Sequence, residues 1–195
     1  MLFRSDDFVI GFTPDEDGRR VLEVLPKRFG QYGPTLHSDK TRLVPFRRPP
    51  LRTDRKSPPW EAKPGTLDLL GFTHFWGRSR TGNWVVKRRT ARIRLSRALR
   101  TVAQGCRWNR HRPIRDQHDT LNQKLRGHYA YYGITGNGKA LSGFPRQVRR
   151  LRRKWLGRRK RAESIPWPRF HCLLERYPLP RPLIVHSVYR SVANP

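Results

Sequence analysis

Acidic residues almost stop after the first third of this chain. Of 14 Asp and Glu, only Asp116, Asp119, Glu163 and Glu175 follow Leu69, while the 43 Lys and Arg continue throughout. Between Asp119 and Glu163 there is no acid at all, yet that stretch holds Arg126, Arg146, Arg149, Arg150, Arg152, Arg153, Arg158 and Arg159. A helix face that meets only water usually mixes signs, because like charges one turn apart repel. Cations this dense lower the stability of the compact state unless a polyanion neutralises them. The same asymmetry divides the chain near residues 88–90, with mixed charge before and nearly pure cation after.

The whole chain carries a formal charge of +29 on 195 residues, with 35% hydrophobic residues. That length allows one or two domains, with a thin core and a largely cationic surface. Nucleic acid is the first partner such a surface implies. An anionic membrane surface is the second, but no apolar run approaches the roughly 20 residues needed to span a bilayer. No membrane partner is therefore expected. Residues 1–12 carry Arg4, Asp6 and Asp7, unlike a secretory signal, so a cytoplasmic protein is expected. Cys106 and Cys172 are far apart and neither belongs to a CxxC pair, which excludes a zinc knuckle of the usual spacing.

Local pattern predicts the elements. The apolar run Phe8, Val9, Ile10, Gly11, Phe12 reads as a buried strand. Thr13 as cap, Pro14 at the first helical position and Glu16 as the capping-box partner open a helix that buries Val21, Leu22, Leu25 and Phe29. Pro26 should kink or divide it, and Gly30 and Gly33 should end it. Residues 47–65 read as a loop. Residues 67–76 and 83–88 read as the two strands of one hairpin. From Thr90 onward the spacing turns helical. Four helices are expected, around Leu95–Leu99–Val102, Leu121–Leu125–Tyr132, Leu141–Val148–Trp155 and Trp167–Phe170–Leu174, before an extended proline-rich tail.

Four groups of residues stand out as candidates for chemistry or binding. Adjacent Asp6 and Asp7 can hold a divalent cation through hard oxygen ligands, although an Asp pair taken alone is more often part of a solvated turn. On the hairpin, Phe75, Trp76 and Trp84 interleave with Arg78, Arg80, Lys87, Arg88 and Arg89. Aromatic faces stack on unpaired bases while cations hold phosphates, or the rings simply pack one sheet face. On a helix, Leu125, His128, Tyr129 and Tyr132 share one side, the spacing of a core stripe. The arginine-rich run at 146–161 is better read as an RNA contact than as a merely solvated face.

In order along the chain, these motifs resemble a group II intron-encoded reverse transcriptase/maturase from its catalytic turn onward. Asp6, Asp7 and Phe8 match the family's aromatic-Ala-Asp-Asp turn at the aspartates, with Arg4-Ser5 replacing the aromatic-Ala. Leu36, His37, Ser38, Asp39, Lys40, Thr41 and Arg42 resemble the following palm motif, with Ser38 where Pro is usual. Leu70, Gly71 and Phe72 resemble the primer grip. Arg126, Gly127, His128, Tyr129, Ala130, Tyr131, Tyr132 and Gly133, then Gly136-Asn137, resemble the maturase-specific domain, also called domain X or thumb.

The resemblance implies an α+β fold: a partial palm of strand, helix and β-hairpin at 1–88, a basic helical maturase domain at 89–177, and a tail at 178–195. It implies a maturase of a mobile genetic element that binds group II intron RNA and assists its folding and splicing. Arg88, Arg89, Arg126, His128, Tyr131, Arg146, Arg149, Arg150, Arg152, Arg153, Arg158 and Arg159 would contact that RNA. The parent family is an RNA-directed DNA polymerase that uses Mg2+, here through Asp6 and Asp7. Only five residues precede Asp6, and none is acidic. The family's third metal-binding aspartate and its fingers would lie upstream. The chain alone is therefore expected to bind magnesium weakly and not to copy RNA. An upstream palm/fingers fragment or a homodimer partner is the alternative that would complete a split enzyme. A non-functional remnant of a mobile element is the other alternative.

Overall fold

The computed structural model describes residues 8–33, 35–37, 41–49, 64–159 and 164–187. The fold is α+β, with five helices and a three-stranded antiparallel sheet among those residues. Two compact units divide the chain between residues 87 and 88.

In the first unit, α1 (Asp15–Gln31) begins one residue later than its sequence suggests. Pro14 is extended at φ −82°, and no side chain caps the helix, so neither Thr13 nor Glu16 forms the expected box. Asp15, Glu16 and Asp17 fill the first turn instead, where carboxylates face the positive end of the helix dipole. The helix is undivided at Pro26. Leu22, whose carbonyl loses its donor there, lies on an exposed face where water can replace it. Gly33, at φ +88°, turns the chain away after the helix. The run at 8–12 is not a strand: it is irregular and largely exposed, and Phe8 stacks on Phe29 of α1 with ring centroids 6.0 Å apart.

The hairpin expected from 67–88 is three strands rather than two. β1 (Leu67–Leu69) pairs antiparallel with β2 (Phe72–Arg78), and β3 (Trp84–Thr90) lies on the other side of β2. The strand expected at 67–76 breaks at Leu70 and Gly71, whose φ values of 49° and 80° make a two-residue hairpin turn. That turn matches the right-handed twist of the strands, which is why the chain reverses there. Trp76 stacks on Phe46, centroids 5.6 Å apart, and donates its indole N–H to the Phe46 carbonyl at 3.3 Å. The Arg78 guanidinium sits over the Trp84 ring at 4.1 Å.

The second unit contains α2 (Arg92–Trp108), α3 (Ile114–Tyr132), α4 (Gly138–Gly157) and α5 (Trp167–Arg176). Its core is a cluster of Val102 from α2, Leu121, Leu125 and Tyr129 from α3, and Leu141, Phe144 and Val148 from α4. These are the positions that three- and four-residue spacing places on one face of each helix. Asn137 ties the end of β3 to the junction of α3 and α4. Its side chain accepts from the Thr90 N–H at 2.9 Å, and donates to Thr90 Oγ1 at 2.8 Å and to the Tyr132 carbonyl at 2.9 Å. Its own carbonyl starts α4 by accepting from Leu141.

Between α5 and residue 187 the described chain has no helix, but it is pinned to this unit. The N–H groups of Val185 and His186 donate to the Gly133 carbonyl at 2.7 and 2.9 Å, and Thr135 N–H donates back to His186. A Cβ on Gly133 would collide with the Tyr129 and Leu183 carbonyls, so a glycine is required for this close approach. Among the described residues no helix is long and apolar enough to cross a membrane.

Candidate nucleic-acid interface

The geometry of α4 sorts the arginine-rich run into two faces. Leu141, Phe144, Val148, Arg152 and Leu156 point into the core, and Arg146, Arg149, Arg150, Lys154 and Arg158 are exposed. Arg146, Arg150, Lys154 and Arg158 follow each other at four-residue steps, one helical turn apart, so they form a ladder along one side. Among the described residues none of these cations is ion-paired; the ion pairs are Arg47–Asp15 and His118–Asp119. The exposed side of α2 adds Arg94, Arg97 and Arg100.

Three arginines of the run are committed elsewhere. Arg153 turns to α5, donating to the Ile165 carbonyl at 2.7 Å and lying over the Trp167 ring at 4.2 Å. Arg159 donates to the Arg112 carbonyl at 2.6 Å. Arg152 is only 2% exposed and donates one N–H to the Tyr177 carbonyl at 3.3 Å. Its position four residues after Val148 puts it on the core side, so it is not part of the exposed ladder.

The other expected contact residues are spread over several elements. Arg88 is half-buried and Arg89 exposed on β3, while Arg126 and Tyr131 are exposed on α3. His128 is half-buried and stacks on Phe144, ring centroids 4.0 Å apart. Burial pushes its pKa down to about 4, so the ring is neutral at pH 7 and acts as an aromatic wall of the core rather than as a cation. Burial likewise pushes Tyr129 up to about 12. Leu70 and Gly71 form the tip of the β1–β2 turn, and Phe72 opens β2. Asp6 and Asp7 lie outside the described residues, so their fit to magnesium has no geometry to rest on. Among the described residues no three His, Cys, Asp or Glu side chains gather as a metal site.

Two tryptophans matter here: Trp108, which the sequence did not single out, and Trp155, which it offered only as part of the apolar pattern of α4. Trp108, at the end of α2, is 74% exposed. Its neighbour Arg107 lies 5.8 Å from the centre of the Trp155 ring on α4, and Arg158 and Lys154 flank the same ring at 5.0 and 5.9 Å. Cations at this range are held by the ring's negative face. The available signal was the alternation Arg107, Trp108, Asn109, Arg110, the same basic-aromatic interleaving that marks the hairpin. Comparison with family models, with curated proteins and with solved structures finds no match for the chain.

Proposed function

We propose that this chain is an RNA-binding protein of the group II intron maturase type, which grips folded intron RNA through α4 and holds it in a splicing-competent form. The observation that carries the reading is the exposed ladder of Arg146, Arg150, Lys154 and Arg158, with Arg149 beside it and no acidic partner among the described residues. Cations at one-turn spacing suit a phosphate backbone, and exposed Trp108 offers a stacking face for an unpaired base. A cytoplasmic setting belongs to the same proposal. The alternative reading, in which an upstream palm/fingers fragment or a second copy completes a magnesium site at Asp6 and Asp7, is read separately by primer extension, which this chain alone should not support.

The test is a salt titration of affinity for a folded group II intron RNA and for a random RNA of equal length. Five phosphates neutralised by the ladder and Arg149 give a slope of log affinity against log salt of about −4, at roughly 0.7 to 0.9 per phosphate. Replacing Arg146, Arg149, Arg150 and Arg158 with Gln should flatten that slope by about 3 while leaving the helix formed, since Gln and Arg have similar helix propensity. An unchanged slope removes α4 as the RNA surface. Equal affinity for the two RNAs reduces the protein to a generic polycation.

A further inference from the structure

A cleft between α2, α3 and α4 holds two cations and no acid. It is lined by Val102, Gly105 and Cys106 of α2, Leu121 and Lys124 of α3, and Arg152 of α4, with Asn109, Gln117 and Thr120 at its polar end. Arg152 is 2% exposed, and its Nε and one terminal nitrogen are buried with no hydrogen-bond partner. An unpaired buried guanidinium is costly, because its charge and its N–H groups have both lost water.

The neutral polar groups of the cleft do not meet that need: none of their oxygens accepts from those two guanidinium nitrogens, and their own donors are turned to backbone. Asn109 donates to the Gly105 carbonyl at 3.0 Å, Gln117 to the Arg112 carbonyl at 2.8 Å, and Thr120 to the Asp116 carbonyl at 2.9 Å. The Cys106 thiol does not supply a counter-charge, since burial pushes its pKa up despite the nearby Arg152 and Lys124. Lys124 is held against α2 by the lack of a side chain at Gly105: a Cβ there would come within 2.9 Å of the ammonium nitrogen. Two positive groups from different helices therefore converge with donors to spare.

We infer that this cleft is a binding site for a phosphate group, held between the buried Arg152 guanidinium and the Lys124 ammonium. The cleft is small, with room for about one water-sized group. That admits one phosphate oxygen, with the remainder of the group at the mouth. Charge-assisted hydrogen bonds from guanidinium and ammonium are the donors phosphate takes most strongly. The group is either a free phosphate or a backbone phosphate of bound RNA. The site itself does not depend on the RNA reading.

Isothermal titration of the full chain with inorganic phosphate, in low-salt buffer without other oxyanions, tests it. One saturable site per chain is expected. Lys124→Gln should weaken it about tenfold, the loss of one charge-assisted hydrogen bond. Gly105→Ala should also weaken it, by displacing the ammonium. Arg169→Gln, which removes an exposed cation of α5, should leave it within about twofold. Arg152→Met should abolish it; if that variant fails to fold, the exposed Lys124 carries the test alone. Heat that never saturates, or a saturable site indifferent to Lys124→Gln, overturns the proposal. Repeating the titration on RNA-bound chain separates the sources. Phosphate excluded by RNA, with RNA affinity lowered by Lys124→Gln, supports a backbone phosphate in the cleft. Phosphate bound equally well with RNA present supports a free anion. Failure of RNA binding would leave the phosphate isotherm standing on its own.

Discussion

In the second unit Leu125, Phe144, Val148 and Phe170 are at most 1% exposed, whereas in the first unit Phe8, Val9, Ile10 and Val24 are about half exposed. Among the described residues, all the buried apolar side chains of the core belong to residues 91–170. The first unit has comparable elements, a 17-residue helix and strands, but its described large apolar side chains are half-buried or exposed rather than buried. Secondary structure and burial are thus separable: a helix forms where the local pattern permits, while stability comes from the face it covers. The second unit should therefore unfold as one cooperative block, and the amides of the first should exchange far faster.

The sharpest way to break that comparison is Asn137→Ala. It leaves the buried Thr90 N–H and one bond of the Tyr132 carbonyl unsatisfied, and should cost about 3–5 kcal/mol at roughly 1–3 per orphaned group. Hydrogen exchange should show protection lost through 88–187 with little change in 8–87. Loss confined to the residues beside Asn137 would mean that the second unit is not one block.

Gly133→Ala comes next, at about 3 kcal/mol for forcing a methyl between two carbonyls. Limited proteolysis should then cut within 178–187 before it cuts the helices. A tail as resistant as in the unaltered protein would show that it is not held through Gly133.

Acidification probes the same core more gently. The His128 pKa is pushed from the ordinary 6.5 down to about 4 by burial. The stabilising contribution is full above pH 6.5. As pH falls, the unfolded chain takes up a proton that the folded chain refuses until about pH 4, so stability drops across that window. The loss should be about 1–2 kcal/mol, discounted for the part of the ring that water reaches. Melting curves of His128→Leu should lack this part of the pH dependence; identical profiles would place the ring in solvent.

The smallest effect belongs to the first unit and has the opposite sign. Leu70 is the one described non-glycine residue with positive φ. Leu70→Asn, making Asn-Gly at the turn, should stabilise the β1–β2 hairpin by about 0.5–1 kcal/mol. Slower exchange at the β1–β2 amides would register it. No change there would mean that the turn is not strained by Leu70.

The sequence by itself determined the positions of α2, α3, α4 and α5, because spacing of apolar residues is a local property and each helix follows it. It also determined the segregation of charge that points to a polyanion. It misplaced the run at 8–12 and the break at Leu70. A short apolar run does not reveal whether a neighbouring strand is present to pair with it, and the turn depends on two residues adopting left-handed backbone. Only the tertiary structure decided that Arg152 turns away from the exposed ladder into a cleft that Cys106 and Lys124, from two other helices, also line. It likewise decided that Asn137 ties Thr90, 47 residues away, to the start of α4, and that the tail returns to Gly133. Those contacts join residues distant along the chain, and no local periodicity encodes which distant backbone a buried donor will meet.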